Sequence, residues 1–223
     1  MYGKKYVACG DSFTEGDFTG IASGEVYKFQ DGLYKGKNMV YPFFIGRNNH
    51  MEVINEAICG TTITHRDGLT HGFSDTRYQN IPLDADYITL HFGINDAGYN
   101  LPLGTITDET NATFYGAWNI VLRYLISNYP TAKIGIIIPY GCQVADYVNA
   151  VRECAEKWGI GYLDLMADNS LPYVMRAYGK SNVCEEAETI RTNQWKVSAS
   201  NLHPNVKAHE HISTIVQSWM KTL

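Results

Sequence analysis

The sequence feature that most constrains the fold is an alternation of short apolar runs with longer stretches of helical periodicity. Five runs combine β-branched and other apolar residues and predict strands, at residues 4–9, 51–55, 86–93, 132–138 and 161–165. Unbroken apolar strands require burial on both faces of a sheet. The runs therefore predict a parallel sheet covered by helices on both sides, an α/β fold with three αβα layers.

Helical spacing of apolar residues predicts helices at residues 110–129, 144–158 and 204–223. Three stretches fit neither pattern and are expected to be irregular, at residues 15–40, 98–108 and 167–200. A length of 223 residues suits one large α/β domain, so we expect residues 1–223 to form a single domain. We see no internal repeat.

Charge and composition exclude several classes of function. The net charge is −5 and no cluster of Lys or Arg is present, which argues against nucleic-acid binding. No apolar run is long enough to span a membrane, and no signal peptide is evident. We therefore expect a cytoplasmic protein, or a domain of a larger secreted or virion protein. The five cysteines lack metal-ligand spacing, and we expect them to be reduced.

Polar residues follow the predicted strands at the edge of the sheet where ligands bind in this architecture. Ser12 follows the first strand, Gly60 the second and Asn95 the third, while His203 precedes the last helix. A serine hydroxyl is a poor nucleophile until a base removes its proton, and a histidine at the head of a helix suits that task. Backbone N–H groups and an Asn amide can stabilise a developing oxyanion.

Each of these short motifs, taken alone, also has a structural explanation as a turn, a helix cap or a surface histidine. The four together stand in order over almost the whole chain: Gly10-Asp11-Ser12, Gly60, Gly93-Ile94-Asn95-Asp96 and His203-Pro204-Asn205. In this respect the chain resembles the SGNH (GDSL-like) hydrolase family.

The resemblance implies a flavodoxin-like fold with a five-stranded parallel sheet and hydrolysis of esters or thioesters. Ser12 matches the nucleophile of the family and His203 its catalytic base. Gly60 and Asn95 match the residues that form the oxyanion hole together with the Ser12 N–H group. The family uses neither a metal ion nor an organic cofactor.

Two acidic residues adjoin these positions. Asp11 precedes Ser12 and Asp96 follows Asn95. We expect both to support the site, Asp96 as a structural hydrogen-bond partner rather than as a general base.

The chain departs from the family pattern three residues before the histidine, where an Asp usually orients the imidazole and Ser200 stands here. For serine proteases the loss of this carboxylate costs about ten-thousand-fold in rate. A backbone carbonyl near Ser200 could orient His203, or a carboxylate such as Glu185, Glu186 or Glu188 could do so. A third interpretation is a site that has decayed into a binding site. Ser12, Gly60, Asn95 and His203 are all retained, which favours a backbone carbonyl or another carboxylate as the orienting group over a decayed site.

The remaining histidines are expected to be structural or exposed. His209 and His211 lie two residues apart on a predicted helix and so face different ways, which argues against a joint metal site. His65 and His71 are expected in an exposed loop, and His91 is expected to be a hydrogen-bonded core residue. A metallohydrolase is disfavoured because no metal-binding motif such as H-E-x-x-H is present.

The substrate predicted from the sequence is a short acyl ester, preferably an acetyl group, on a small molecule or a polysaccharide. A tyrosine-containing stretch at residues 16–41 suggests an aromatic rim that stacks on sugars. Two alternatives remain open: a carbohydrate-binding module on the same fold, supported by Ser200, and an intracellular acyl thioesterase. The sequence does not determine the oligomeric state.

Overall fold

The structure, a computed structural model, describes residues 1–21, 27–166 and 184–223, without the side chains of residues 188, 191 and 192. Its five strands form one all-parallel sheet: β1 Lys5–Gly10, β2 Glu52–Asn55, β3 Tyr87–His91, β4 Lys133–Ile137 and β5 Gly161–Leu163. The strand order is β2-β1-β3-β4-β5, the flavodoxin-like order. The predicted α/β fold is confirmed.

The strand order creates a topological switch point between β1 and β3. The chain runs from β1 to β2 on one side of β1, and then crosses to β3 on the opposite side of β1. Gly10 and His91, the last residues of these two strands, are paired in register. The loops that follow them begin side by side. This arrangement brings the segment after β1 next to the segment after β3, where a ligand crevice forms in such sheets.

In the described part of the chain, seven α-helices connect or flank the strands: α1 Ser12–Glu15, α2 Tyr41–Asn49, α3 Ile94–Gly98, α4 Phe114–Asn128, α5 Ala145–Trp158, α6 Glu185–Trp195 and α7 Val206–Met220. A short 3₁₀ helix spans Arg77–Asn80. Among the described residues, no helix is long and apolar enough to cross a bilayer.

Alternating strand residues bury their side chains in two separate cores, one on each face of the sheet. Val7 and Ile88 pack in the core that contains Trp118 of α4 and residues of α5. Tyr6 and Tyr87, one residue earlier in each strand, belong to the opposite core, which α2 and α7 cover. The sheet is thus the middle of three layers, as predicted.

The predicted element boundaries differ from the observed ones by a few residues. The largest shift is at α4, which begins at Phe114 instead of residue 110 because the Thr113 side chain caps it by accepting a hydrogen bond from Gly116 N–H. Two longer helices were not predicted, α2 and α6. Helix α6 lies within the stretch 167–200 that was expected to be irregular, of which residues 167–183 lie outside the described residues.

Candidate active site

Ser12 is the first residue of α1 and directly follows the turn at the end of β1. The Asp11 side chain caps this short helix by accepting a hydrogen bond from the Phe13 N–H at 3.0 Å. A side chain at Gly10 would meet the Thr14 hydroxyl 2.4 Å away, so the turn requires glycine there. The sequence Gly-Asp-Ser therefore serves as a tight turn and a cap, and it fixes the Ser12 backbone at the carboxyl edge of the sheet.

Folding brings Ser12 together with His203, which lies 191 positions later in the chain. Ser12 Oγ is 2.6 Å from His203 Nε2, a hydrogen-bond distance. The Phe13 ring packs against the imidazole with centroids 4.9 Å apart. Burial is the main influence on the pKa of His203 and lowers it, while the charge of Asp17 partly offsets this effect. At neutral pH the imidazole is therefore uncharged and able to accept a proton.

The other ring nitrogen of His203 contacts a residue that the sequence had not indicated. Nδ1 lies 2.7 Å from the side-chain oxygen of Asn201, and the backbone N–H of His203 donates to the same oxygen at 3.0 Å. A carboxylate oxygen of Asp17 lies 3.8 Å from Nδ1. Partial burial raises the pKa of Asp17, but hydrogen bonds with Thr19 and Asn201 and the nearby His203 together keep it below its ordinary value, so this group is charged.

Two of the predictions for the orienting group were therefore wrong, namely a backbone carbonyl near Ser200 and a carboxylate of Glu185 or Glu186. Nδ1 contacts a side-chain amide oxygen instead, and the nearby carboxylate is that of Asp17. Ser200 points elsewhere: its hydroxyl lies 3.3 Å from that of Ser198. Glu185 and Glu186 are exposed at the start of α6, and the side chain of Glu188 lies outside the described residues.

Gly60 and Asn95 line the same cleft as Ser12 and His203. Gly60 has φ +74°, a left-handed conformation that favours glycine, and a side chain added to it would meet only open space. The Asn95 amide nitrogen donates to Thr61 O at 2.8 Å, which uses one of its two hydrogens and fixes its orientation. The hydrogen bonds of the described residues include none from the Ser12 or Gly60 backbone N–H. These three groups could donate to one oxygen atom in the cleft.

The loop that carries Gly60 is held from both sides by buried charged groups. The Arg77 guanidinium donates to the backbone carbonyls of Glu56 and His71. Asp96 accepts from the backbone N–H of Thr64 at 2.9 Å and of Ile63 at 3.3 Å. Arg77 is a residue that the sequence analysis missed, because a single Arg in a loop gives no signal of burial.

Two buried carboxyl groups lie at the base of the site. Burial raises the pKa of Asp11 to about 7 and that of Asp96 to about 6. Neither of the two lines the cleft. Their placement beneath the loops suits the supporting positions expected from the sequence.

The cleft has a volume of about 560 Å³ and an uneven lining. Its polar side chains outside Ser12 belong to Asp17, Thr19, Asn95, Ser200, Asn201 and His203, and its apolar ones to Phe13, Cys59, Ile94 and Leu202. Among the described residues that line it, none is Lys or Arg. The cleft therefore presents a negative charge with hydroxyl and amide groups.

The predicted aromatic rim was wrong. Tyr34 and Tyr41, the latter the first residue of α2, are buried in the core that α2 and α7 cover, and neither lines the cleft. Tyr27 is exposed but also lies outside the lining. Tyr34 and Tyr41 thus belong to the core, and the sequence alone does not distinguish core tyrosines from a sugar-stacking surface.

The histidine predictions held only in part. His91 is a buried, hydrogen-bonded core residue, as predicted, with Nε2 accepting from Tyr140 N–H at 3.1 Å. His65 is exposed and pairs with Asp75, whereas His71 is only half-buried. His209 is fully buried and accepts a hydrogen bond from Tyr41 N–H, while the His211 ring contacts Trp195. Within the described part of the chain, no group of three potential ligands is placed to hold a metal ion.

Known structures share this fold over the full chain. A protein of Lactobacillus plantarum aligns with a TM-score of 0.70 and 24% identity, covering 100% of this chain and 98% of its own. A protein described as a candidate GDSL-like lipase from Bacteroides uniformis aligns with a TM-score of 0.66 and 19% identity, covering 99% and 97%. No significant match is found among curated protein sequences.

An acetyl xylan esterase from the rumen bacterium Butyrivibrio proteoclasticus also aligns, with a TM-score of 0.60 and 16% identity. The alignment covers 100% of this chain and 64% of the esterase. The sequence model of the GDSL-like lipase/acylhydrolase family matches residues 8–211, which include Ser12, Gly60, Asn95 and His203. This protein is therefore a member of the GDSL-like lipase/acylhydrolase family.

Proposed function

We propose that the protein is a serine esterase that removes a short acyl group from an uncharged or cationic alcohol, such as an acetylated carbohydrate. The observation that carries this proposal is the 2.6 Å separation between Ser12 Oγ and His203 Nε2. A neutral imidazole at this distance can accept the hydroxyl proton as Ser12 attacks the acyl carbon.

The reaction has two steps. In the first, Ser12 forms an acyl-enzyme, and His203 passes the proton it has taken to the departing alcohol oxygen. In the second, His203 removes a proton from water, which attacks the acyl carbon. The bond between that carbon and Ser12 Oγ then breaks, His203 returns the proton to Oγ, and the acid is released. In both steps the N–H groups of Ser12 and Gly60 and the Asn95 amide donate to the oxyanion.

The cleft lining supports an ester of an uncharged or cationic alcohol over a thioester of an anionic carrier. Lys and Arg are common partners of phosphate groups, and the described lining contains neither. Asp17 places a negative charge beside His203 and would repel a phosphorylated carrier. Hydroxyl groups such as those of Thr19 and Ser200 suit hydrogen bonding to sugar hydroxyls.

The apolar lining supports a short acyl group. Burial of a long chain stabilises binding by about 0.8 kcal/mol per methylene, which requires an extended apolar surface. The described lining offers only four apolar side chains, of which Phe13 is itself packed against His203. An acetyl group needs no more than this surface.

Turnover of p-nitrophenyl acetate tests the proposal in the wild type and in Ser12→Ala. We expect the substitution to lower kcat by at least about 10⁴-fold. Ser218→Ala is the matched control, because the Ser218 hydroxyl is exposed on α7 and donates to Thr214 O. Equal rates in the wild type and Ser12→Ala would overturn the proposal and favour a carbohydrate-binding module on this fold.

A substrate series tests the substrate class. We expect acetylated xylo-oligosaccharides to be hydrolysed with a higher kcat/KM than either p-nitrophenyl palmitate or acetyl-CoA. Preference for the palmitate ester would contradict the short acyl group, and preference for acetyl-CoA would identify a thioesterase.

A further inference from the structure

We propose that Asn201 is the positioning residue of His203 and that it fixes the ring in the tautomer that can act as a base. This inference rests on the proposed function of Ser12 and His203. In the family pattern, an Asp at the position of Ser200 orients the imidazole. Here we assign that role to the neutral amide of Asn201, two positions before the histidine.

The orientation of the Asn201 amide follows from its partners. Its nitrogen lies 2.9 Å from Thr19 O and 3.3 Å from Asp17 O, two backbone carbonyls that can only accept hydrogen bonds. Its oxygen accepts from the backbone N–H of His203, a group that can only donate. The amide oxygen therefore faces the imidazole, and the reversed orientation would leave all three groups mispaired.

The tautomer of His203 follows from this orientation. An amide oxygen has no proton to give, so the Nδ1 atom 2.7 Å away must carry one and donate it. In the neutral ring Nε2 then bears the lone pair, and it faces Ser12 Oγ. This is the form that can remove the serine proton.

Asn201 also joins the two segments of the chain that carry the site. Its side chain connects the turn before α7 with residues 17–19, which follow α1 and its nucleophile. The negative charge of Asp17 lies 3.8 Å from Nδ1, too far for a hydrogen bond but near enough to favour the imidazolium that forms during the reaction. In the family pattern one Asp both orients the imidazole and stabilises its positive charge. Here the Asn201 amide orients the ring and the Asp17 carboxylate stabilises the charge.

The test combines ¹⁵N NMR of labelled histidine, which reads the tautomer without substrate, with steady-state kinetics on p-nitrophenyl acetate. We expect the wild type to show His203 protonated at Nδ1 at pH 8. Asn201→Ala should lose this preference and lower kcat by about 10²–10⁴-fold, with KM changed by less than about threefold.

Two further variants separate positioning from folding. Asn205→Ala removes a neighbouring amide that caps α7 and bonds to Gln194 O and Lys196 O without touching the His203 ring. It should lower thermal stability and leave the His203 tautomer unchanged. Asn201→Asp retains an acceptor for Nδ1 but loses the donor to Thr19 O and Asp17 O, so it should keep the Nδ1–H tautomer and recover only part of the activity lost in Asn201→Ala.

The outcomes distinguish this inference from the proposed function. An unchanged tautomer and an unchanged kcat in Asn201→Ala would overturn the positioning role of Asn201, whatever the wild-type activity. Loss of the tautomer in Asn201→Ala together with an inactive wild type would support the positioning role and refute the esterase.

Discussion

The side-chain oxygen of Asn201 lies 2.7 Å from Nδ1 of His203, in the place where a carboxylate is expected. The acceptor is neutral, and the only carboxylate near Nδ1 within the described residues, Asp17, lies 3.8 Å away. The imidazole is therefore oriented by an amide and influenced by a charge that does not touch it. Because Asp17 carries the negative charge near the ring and Asn201 does not, the pH dependence of the reaction should respond to substitution of Asp17.

Asp17 should set the position of the acidic limb of the pH profile. Because burial lowers the pKa of His203, we expect kcat/KM to fall only below pH 6.5, as the ring becomes protonated. Asp17→Asn removes the charge that raises this pKa, so the limb should move to lower pH. The measurement is kcat/KM for p-nitrophenyl acetate from pH 4 to 9. A limb that does not move, or that moves to higher pH, would show that Asp17 does not act on His203.

Asn95 should contribute to the rate through its free amide hydrogen. Asn95→Ala is expected to lower kcat by about 10²–10³-fold, the usual effect of removing one oxyanion donor. Asn111→Ala provides the control, since the Asn111 amide donates to Asp75 and lies outside the cleft lining. Comparable rates for the two variants would exclude Asn95 from the oxyanion hole.

Arg77 should stabilise the fold through the loop that carries Gly60. Arg77→Met leaves the carbonyls of Glu56 and His71 without their charged donor, and we expect the free energy of unfolding to fall by about 2–4 kcal/mol. The control is Arg123→Met, which breaks an exposed ion pair with Glu109 and should cost less than about 1 kcal/mol. Urea unfolding measures both. Similar costs would mean that the loop does not depend on Arg77.

Asp11 should make stability depend on pH in an unusual direction. Its pKa rises from 3.8 to about 7 on folding, so its contribution is fully present below pH 4 and is lost as the pH rises through 7. Asp11→Asn keeps the cap on the Phe13 N–H without the charge. The variant should therefore exceed the wild type in unfolding free energy at pH 8 by up to about 3–4 kcal/mol, with a smaller difference at pH 5. A constant difference between pH 5 and pH 8, measured by denaturant unfolding, would contradict the burial of a titrating carboxyl group.

The sequence allowed prediction of the sheet and of the residues that follow its strands. Each apolar run marked a strand, and in a parallel sheet the carboxyl ends of the strands share one edge. That rule alone predicted that Ser12, Gly60 and Asn95 would lie on one side of the molecule. The position of His203 followed from the resemblance and from the helix that begins after it.

The orienting residues could not be predicted, because their role depends on contacts between distant segments. Asn201 faces His203 only because the carbonyls of residues 17–19 hold its nitrogen, and that segment precedes it by more than 180 positions. The one sequence feature that indicated Asn201 was a polar residue two positions before the histidine. The family pattern instead places the orienting residue three positions before the histidine, where Ser200 stands. Likewise, the burial of Tyr34 and Tyr41 depends on how α2 packs, which the run of tyrosines did not reveal.

Covalent labelling with a fluorophosphonate tests the central claim most directly, because the reagent reacts only with a serine whose hydroxyl is activated. Intact-protein mass spectrometry should show a single adduct on the wild type, mapped to the peptide containing Ser12, and no adduct on Ser12→Ala or His203→Ala. Labelling that persists in His203→Ala, or a wild type that remains unmodified, would contradict the account.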